Sequence, residues 1–163
     1  MSSIVIMPLH KSTAYSAAFM EKYIPKILEF QQKYEPGFNY DRIAEVLWWH
    51  YVTSDPKQLV IVVVQVNQET QETRDIGWIW LGLNDWWGNP VLDIMQYNLD
   101  PVPEWPGIPI ADKQEAWGWI EQWGRGHGAT MIRTCGYTPA HVRAYTRFYK
   151  FQDRQYITLE KRI

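Results

Sequence analysis

Cysteine occurs once in 163 residues, at Cys135. A single thiol excludes an internal disulfide framework and leaves no cysteine-rich metal site. Long apolar runs are missing too: none approaches the roughly 20 residues that a membrane-spanning helix needs. No charged-then-apolar leader opens the chain, so neither a span nor a secretory signal is expected. Charge excess is also lacking. Sixteen Lys and Arg against 18 Asp and Glu leave a net charge of −2, which gives no bulk electrostatic case for nucleic acid or an anionic membrane. His10, His50, His127 and His141 are too scattered for a helical or hairpin metal motif. Neither Gly-x-Ser-x-Gly nor Gly-x-Gly-x-x-Gly occurs, and there is no internal repeat or low-complexity tract. These absences leave one cytoplasmic domain over residues 1–163 with one sizeable core as the expectation. That includes a protein made in a host cell by a virus.

Tryptophan is what the chain has in excess, ten residues of it. Aromatics build large cores, and tryptophan is also enriched at the buried centres of interfaces. The pairs Trp48-Trp49 and Trp86-Trp87 suit a fixed contact, so a protein partner or an oligomer formed through a Trp-rich surface is one expectation.

Along the chain, Ile4-Val5-Ile6-Met7 predicts a first strand stopped by Pro8. A helix follows, its stripe running from Ala14 through Met20, Ile24, Ile27 and Leu28 to about Tyr34, with Pro25 expected to kink or split it. A second helix is predicted over residues 41–51, with Ile43, Val46, Leu47 and His50 on one side. Leu59-Val60-Ile61-Val62-Val63-Val64 is the strongest strand. It lacks alternation, so both of its faces should be covered. Residues 67–74 form a polar hairpin loop, 76–81 a returning strand, 84–89 a turn and 91–99 a third consecutive strand. Residues 100–109, with four prolines, are irregular. A helix over 112–122 is opened by Asp112 with Glu115 three residues on, the pattern of a capping box. Gly124-Arg125-Gly126-His127-Gly128 reads as its glycine-rich C-terminus, because a strand and not a helix follows.

The last 35 residues read as strand, helix, strand. Thr130-Met131-Ile132-Arg133-Thr134-Cys135 alternates. Thr138-Pro139 fits an N-cap with proline at the first helical position, and Val142, Tyr145, Phe148 and Tyr149 make an apolar stripe. Residues 155–159 alternate again. Tyr145-Thr146-Arg147-Phe148-Tyr149-Lys150 followed by Tyr156-Ile157-Thr158-Leu159-Glu160-Lys161 resembles the ending of GNAT-superfamily N-acetyltransferases. There a Tyr-Glu-Lys-Leu-Gly-Phe helix precedes the final strand. The family glycine is Tyr149 here, and the family asparagine near the helix start is Thr138. The element order upstream is also that of the family, so the resemblance spans nearly the whole chain.

The resemblance implies a mixed, mostly antiparallel central sheet of α+β or α/β class, flanked by helices on both faces. It implies that strands 91–99 and 130–135 splay apart and that the pantetheine arm of acetyl-CoA lies in the gap. It places Tyr145 as general acid toward the departing thiolate, and Leu99, Gly107, Ile108 and Ile110 along the coenzyme. A base, direct or through water, would come from Asp93, His127 or His141.

The chain departs from the family at the pyrophosphate loop, normally Gln/Arg-x-x-Gly-x-Gly/Ala, whose backbone N–H groups and following helix hold the phosphates. The matching stretch is Glu104-Trp105-Pro106-Gly107-Ile108-Pro109-Ile110-Ala111. It has one glycine, two prolines without N–H groups, and a carboxylate where the family has arginine or glutamine. That reversal of sign opposes binding by about 1–4 kcal/mol, and an Asp112 cap would occupy the same helix donors. Two functions therefore compete, and the first is the one expected. The first is a GNAT-fold protein with a degraded coenzyme A loop and no cofactor. It would be a non-catalytic assembly component similar to GNAT-like virion proteins of tailed phages, whose His-Ile-Arg is echoed in His141-Val142-Arg143, and it would reside in host cytoplasm or virion and not be secreted. The second is an active acetyl-CoA-dependent N-acetyltransferase that transfers acetyl to an amine.

Overall fold

Six consecutive apolar residues at positions 59–64 set the layering. The computed structural model describes residues 2–12, 16–99, 110–134, 139–148 and 150–151, and places those six in β2, Gln58–Asn67. Alternate side chains of β2 enter two cores. Leu59, Ile61 and Val63 pack with Leu81, Leu92 and Ile120 on one face. Val60, Val62 and Val64 pack with Tyr23, Ile27, Leu47 and Trp80 on the other. Ile61, Val62 and Val63 are fully buried, each worth about 1.5–3 kcal/mol of transfer free energy. The absence of alternation thus means cover on both sides.

The helices supply that cover. α1, Ser16–Tyr34, and α2, Tyr40–Thr53, lie on the second face. The Asn39 side chain accepts from the Arg42 N–H at 3.0 Å and starts α2, and Ser54 at φ 54° ends it. Pro25 does not split α1. It sits on the exposed side, away from the packed face, while Met20, Tyr23, Ile24 and Ile27 keep the inner stripe buried.

The strands are β1, Ser2–Leu9; β2; β3, Thr73–Trp86; β4, Asn89–Asn98; and β5, Met131–Thr134. They lie in sequence order in one sheet, antiparallel except for the parallel pair β4–β5. Pro8 does not stop β1 but pairs with Ile61. β1 is the outermost strand of the described sheet, where proline is tolerated. The expected turn over 84–89 shrinks to two residues. Trp86 pairs with Asn89, and Trp87 and Gly88, at φ 55° and 78°, make the left-handed pair of a type I′ hairpin. The Asp85 carboxylate accepts from the Gly88 N–H at 2.7 Å.

α3, Ile110–Gly126, crosses from β4 to β5 on the first face. It ends in a Schellman motif: the Ala129 N–H donates to the Gly124 carbonyl at 2.9 Å and Gly128 N–H to Arg125 at 3.0 Å, with Gly128 at φ 80°. The glycine-rich run is therefore a helix terminus, as its sequence implies. α4, Pro139–Phe148, follows β5. The irregular stretch 100–109 and the strand predicted over 155–159 lie outside the described residues. No described helix is long and apolar enough to cross a membrane.

Candidate active site

Among the described residues the ladder between β4 and β5 has four pairs, Val91 with Met131 to Ile94 with Thr134. β4 runs on to Asn98, and its residues 96–98 pair, among the described residues, with β3 alone. The gap expected between the two strands, a wedge, would lie along this other edge of β4.

A β-bulge stands at the apex of that wedge. Leu81 pairs with Ile94 and Trp80 with Gln96, which leaves Met95 as the extra residue. A bulge bends the strand and re-aims the side chains beyond it. Leu92 and Ile94 face α3, whereas after the bulge it is Tyr97 and Leu99 that do so. Gly77 sets where β4 ends. A Cβ there, at φ 147°, would lie 1.9 Å from the Asn98 carbonyl oxygen, so only glycine lets the end of β4 lie against β3.

α3 runs back along β4. Gly124 lies against Leu92, and Trp117 meets Tyr97 with ring centroids 5.6 Å apart. Its N-terminus therefore lies beyond Tyr97, about 10 Å past Trp117 at 1.5 Å per residue, toward the open end of β4. The first four N–H groups of a helix have no partner within it, and they favour anions. Aromatic rings fill the wall between α3 and α4. Trp117 meets Phe151 at 5.3 Å and Tyr145 at 6.5 Å, and Tyr145 meets Phe151 at 5.6 Å.

The sequence-predicted residues fall unevenly on this site. Tyr145, half-buried on α4, is brought to the wedge through Trp117 and Phe151. Leu99 packs its side chain into the core, so it can offer the wedge only main chain. Gly107 and Ile108 lie outside the described residues. Ile110 is the first residue of α3, so its N–H is one of the donors without a helical partner. Asp112 is the third helical residue of α3, so the helix begins earlier than the capping pattern implies, and the Asp112 side chain lies outside the described residues.

Asp93 is near the apex but engaged. Arg133 donates to both of its oxygens, Nε at 2.7 Å and Nη2 at 2.9 Å, and the Asn84 amide donates to it as well. The Arg133 guanidinium also lies over the Trp86 ring, 4.7 Å from its centre. His127 is at the wrong end of α3, about 15 Å along the helix from Trp117, with its ring against Trp123. His141 lies within α4, and its side chain is outside the described residues. No described cluster of His, Cys, Asp or Glu could hold a metal ion.

Gln96 is the site residue that sequence reasoning missed. It is buried and bonded to α1 and to Trp78. The signal was a glutamine where the apolar alternation of β4 changes phase. Elsewhere on this face, burial first and then Asp75 push the Tyr23 phenol far above its ordinary range, so it holds its proton throughout and serves as structure.

An extended arm carrying amides and ending in a diphosphate needs an open strand edge followed by free N–H groups. The β4 edge past Met95 and the start of α3 are the described parts of the chain where such groups would be sought. No family model matches the sequence, and no curated protein matches it. Solved structures do. The aminoglycoside acetyltransferase AAC(6′)-Iy, in complex with a bisubstrate analogue, CoA-S-monomethyl-acetylneamine, is 10% identical with a TM-score of 0.59, over 98% of each chain. An aminoglycoside acetyltransferase from an uncultured soil metagenomic sample, in complex with sisomicin, is 12% identical with a TM-score of 0.59, over 98% of this chain and 96% of that one. Glucosamine-6-phosphate N-acetyltransferase from Arabidopsis thaliana is 11% identical with a TM-score of 0.58, over 98% of each chain. At such identities the likeness is one of fold: the chain has the GNAT acetyltransferase fold.

Proposed function

We propose that the chain is an acetyl-CoA-dependent N-acetyltransferase acting on an amine. The observation that carries this reading is the edge of β4 past the Met95 bulge, which pairs with no strand but β3 among the described residues. Main-chain groups of residues 95–98 would hold the amides of the pantetheine arm as a neighbouring strand would, and the N-terminal N–H groups of α3, beginning at Ile110, would face the diphosphate. Bound acetyl-CoA supplies the acetyl group as a thioester. Tyr145 holds a proton at its phenol oxygen beside Trp117 and Phe151, on the α4 side of the wedge where a departing thiolate needs one.

Three sequence features oppose coenzyme: the carboxylate of Glu104, the prolines of that loop, and Asp112, which lies in the first turn of α3. Weakened affinity, in the micromolar range, is therefore the expectation. That solved enzymes of this fold carry a CoA-linked analogue or an amine drug supports an amine acceptor over a purely structural part.

Isothermal titration of the full chain with acetyl-CoA, paired with thermal melts, tests the reading. Heat of binding and a rise in Tm are expected. No heat and no rise at millimolar acetyl-CoA would overturn it and favour the assembly reading.

A further inference from the structure

We propose that Gln96 is a positioning residue: its buried hydrogen bonds select the bulged register of β4 and so set the strand edge that would receive the acyl donor. The link to the acyl donor rests on the acetyltransferase reading; the selection of register does not.

Gln96 is 2% exposed. Its amide nitrogen donates to the Ile27 carbonyl of α1 at 3.0 Å and to Gln31 Oε1 at 3.1 Å. Its oxygen accepts from the Trp78 indole N–H at 2.9 Å. One buried side chain thus ties β4 to α1 and to β3 with every partner out of water. Buried amides without partners are strongly disfavoured, so these bonds are available only where Gln96 faces α1.

The bulge is what makes it face α1. Strand side chains alternate, and slipping the register by one residue turns every following side chain to the opposite face. Leu92 and Ile94 point into the α3 core. In an unbulged β4, residue 96 would continue that row, and the Gln96 amide would enter an apolar core that holds Leu81, Ile94 and Ile120. With Met95 as the extra residue, Gln96 turns to α1 while Tyr97 and Leu99 join the α3 core. Leucine or methionine at position 96 would suit either face; glutamine suits one. A single buried polar residue that fixes register is the best-attested use of such groups.

The phase change has a further effect at the apex. It occurs one residue past Ile94, in the last described pair of β4 with β5, so the bulge that lets Gln96 reach its partners also interrupts the regular edge. α1, on one side of the sheet, is thereby mechanically joined to that edge of β4.

The test uses the full chain, labelled with nitrogen-15, as wild type, Gln96→Met and Gln31→Met. In Gln96→Met the amides of residues 95–98 should shift and exchange with solvent about tenfold faster or more, as locally opened structure does. The Trp78 indole resonance should move, and β2 and α3 amides should stay protected. Gln31→Met leaves Gln96 bonded to Ile27 and Trp78, so residues 95–98 should match wild type. If Gln96→Met does not fold, Gln96→Asn, one methylene too short to reach Ile27 and Trp78 together, carries the same expectation. For acetyl-CoA, Gln96→Met should weaken binding about tenfold while kcat at saturation changes little, the pattern of lost positioning and not of lost chemistry. Wild-type exchange at 95–98 in the folded variant overturns the register claim. Unchanged acetyl-CoA affinity with altered exchange overturns its link to the donor edge. A wild type that ignores acetyl-CoA refutes the proposed function instead, and the amide exchange still decides the register.

Discussion

Asp93 and Arg133 face each other across the β4–β5 ladder one rung before it ends, with the guanidinium meeting both carboxylate oxygens. This pair closes the apex of the wedge from the side opposite α3. A carboxylate whose two oxygens already accept from a guanidinium and the Asn84 amide is poorly placed to take a proton from an acceptor amine. Its role is to fasten β5 to β4 at the point where they part.

Asp93→Asn therefore acts on stability more than on chemistry. The pair is partly exposed, the Arg133 side chain 39% and Asp93 16%, so the loss should be about 1–2 kcal/mol, between surface and buried pairs. Urea denaturation measures it. Acetyl transfer at saturating substrate should fall less than about fivefold; a fall of a hundredfold or more is what loss of a general base gives and would reassign Asp93 as that base.

Tyr145→Phe keeps the ring between Trp117 and Phe151 and removes only the hydroxyl. Stability should hold, and kcat should drop about 10²-fold or more with little change in acetyl-CoA affinity, the effect of losing a general acid. Equal kcat in the two proteins would make Tyr145 a packing residue.

Gly77→Ala should cost about 2 kcal/mol or more, since both the left-handed backbone and the Asn98 carbonyl oppose a side chain there. Because β4 must retreat, the donor edge moves too. A denaturation midpoint within error of wild type would mean that the end of β4 does not lie against Gly77.

His50 gives the chain a pH dependence. Burial lowers its pKa, Asp55 opposes that and Lys57 adds to it. Its Nδ1 is buried without a hydrogen bond and lies 3.5 Å from an Asp55 oxygen. A histidine whose folded pKa is depressed binds its proton more readily when unfolded. Its contribution to stability is thus complete above the ordinary value near 6.5 and is lost as pH falls from there through the folded value. Melts from pH 7.5 down to pH 5 should show Tm decreasing, and His50→Gln should flatten that slope. An unaltered slope would place the effect elsewhere.

Much of the fold could be read from the residues. The unbroken run at 59–64 announced a strand buried on both faces, and the order of strands and helices pointed to the GNAT layout. What escaped were features set by local competition. Pro25 was expected to kink or split α1, but one helix runs through it on its exposed side. Asp112 looked like a cap, yet α3 starts earlier. The bulge was hidden because Met95 reads as one more apolar strand residue, although the shift from Leu92 and Ile94 to Tyr97 and Leu99 was there to be counted. Of the site, Tyr145 was legible through resemblance. Gln96 was not, because a glutamine in a strand is ordinarily read as its wet side. The engagement of Asp93 depends on Arg133, 40 residues away, a proximity no local pattern encodes.

Trp87 occupies a left-handed position of the β3–β4 hairpin and is 88% exposed. Asparagine is the residue that such a turn prefers. At this one position, then, folding preference and colloidal behaviour are separable. Asparagine there would raise the melting point and at the same time take the most exposed ring among the described residues out of solvent, so a chain that clumps less would also be one that unfolds later.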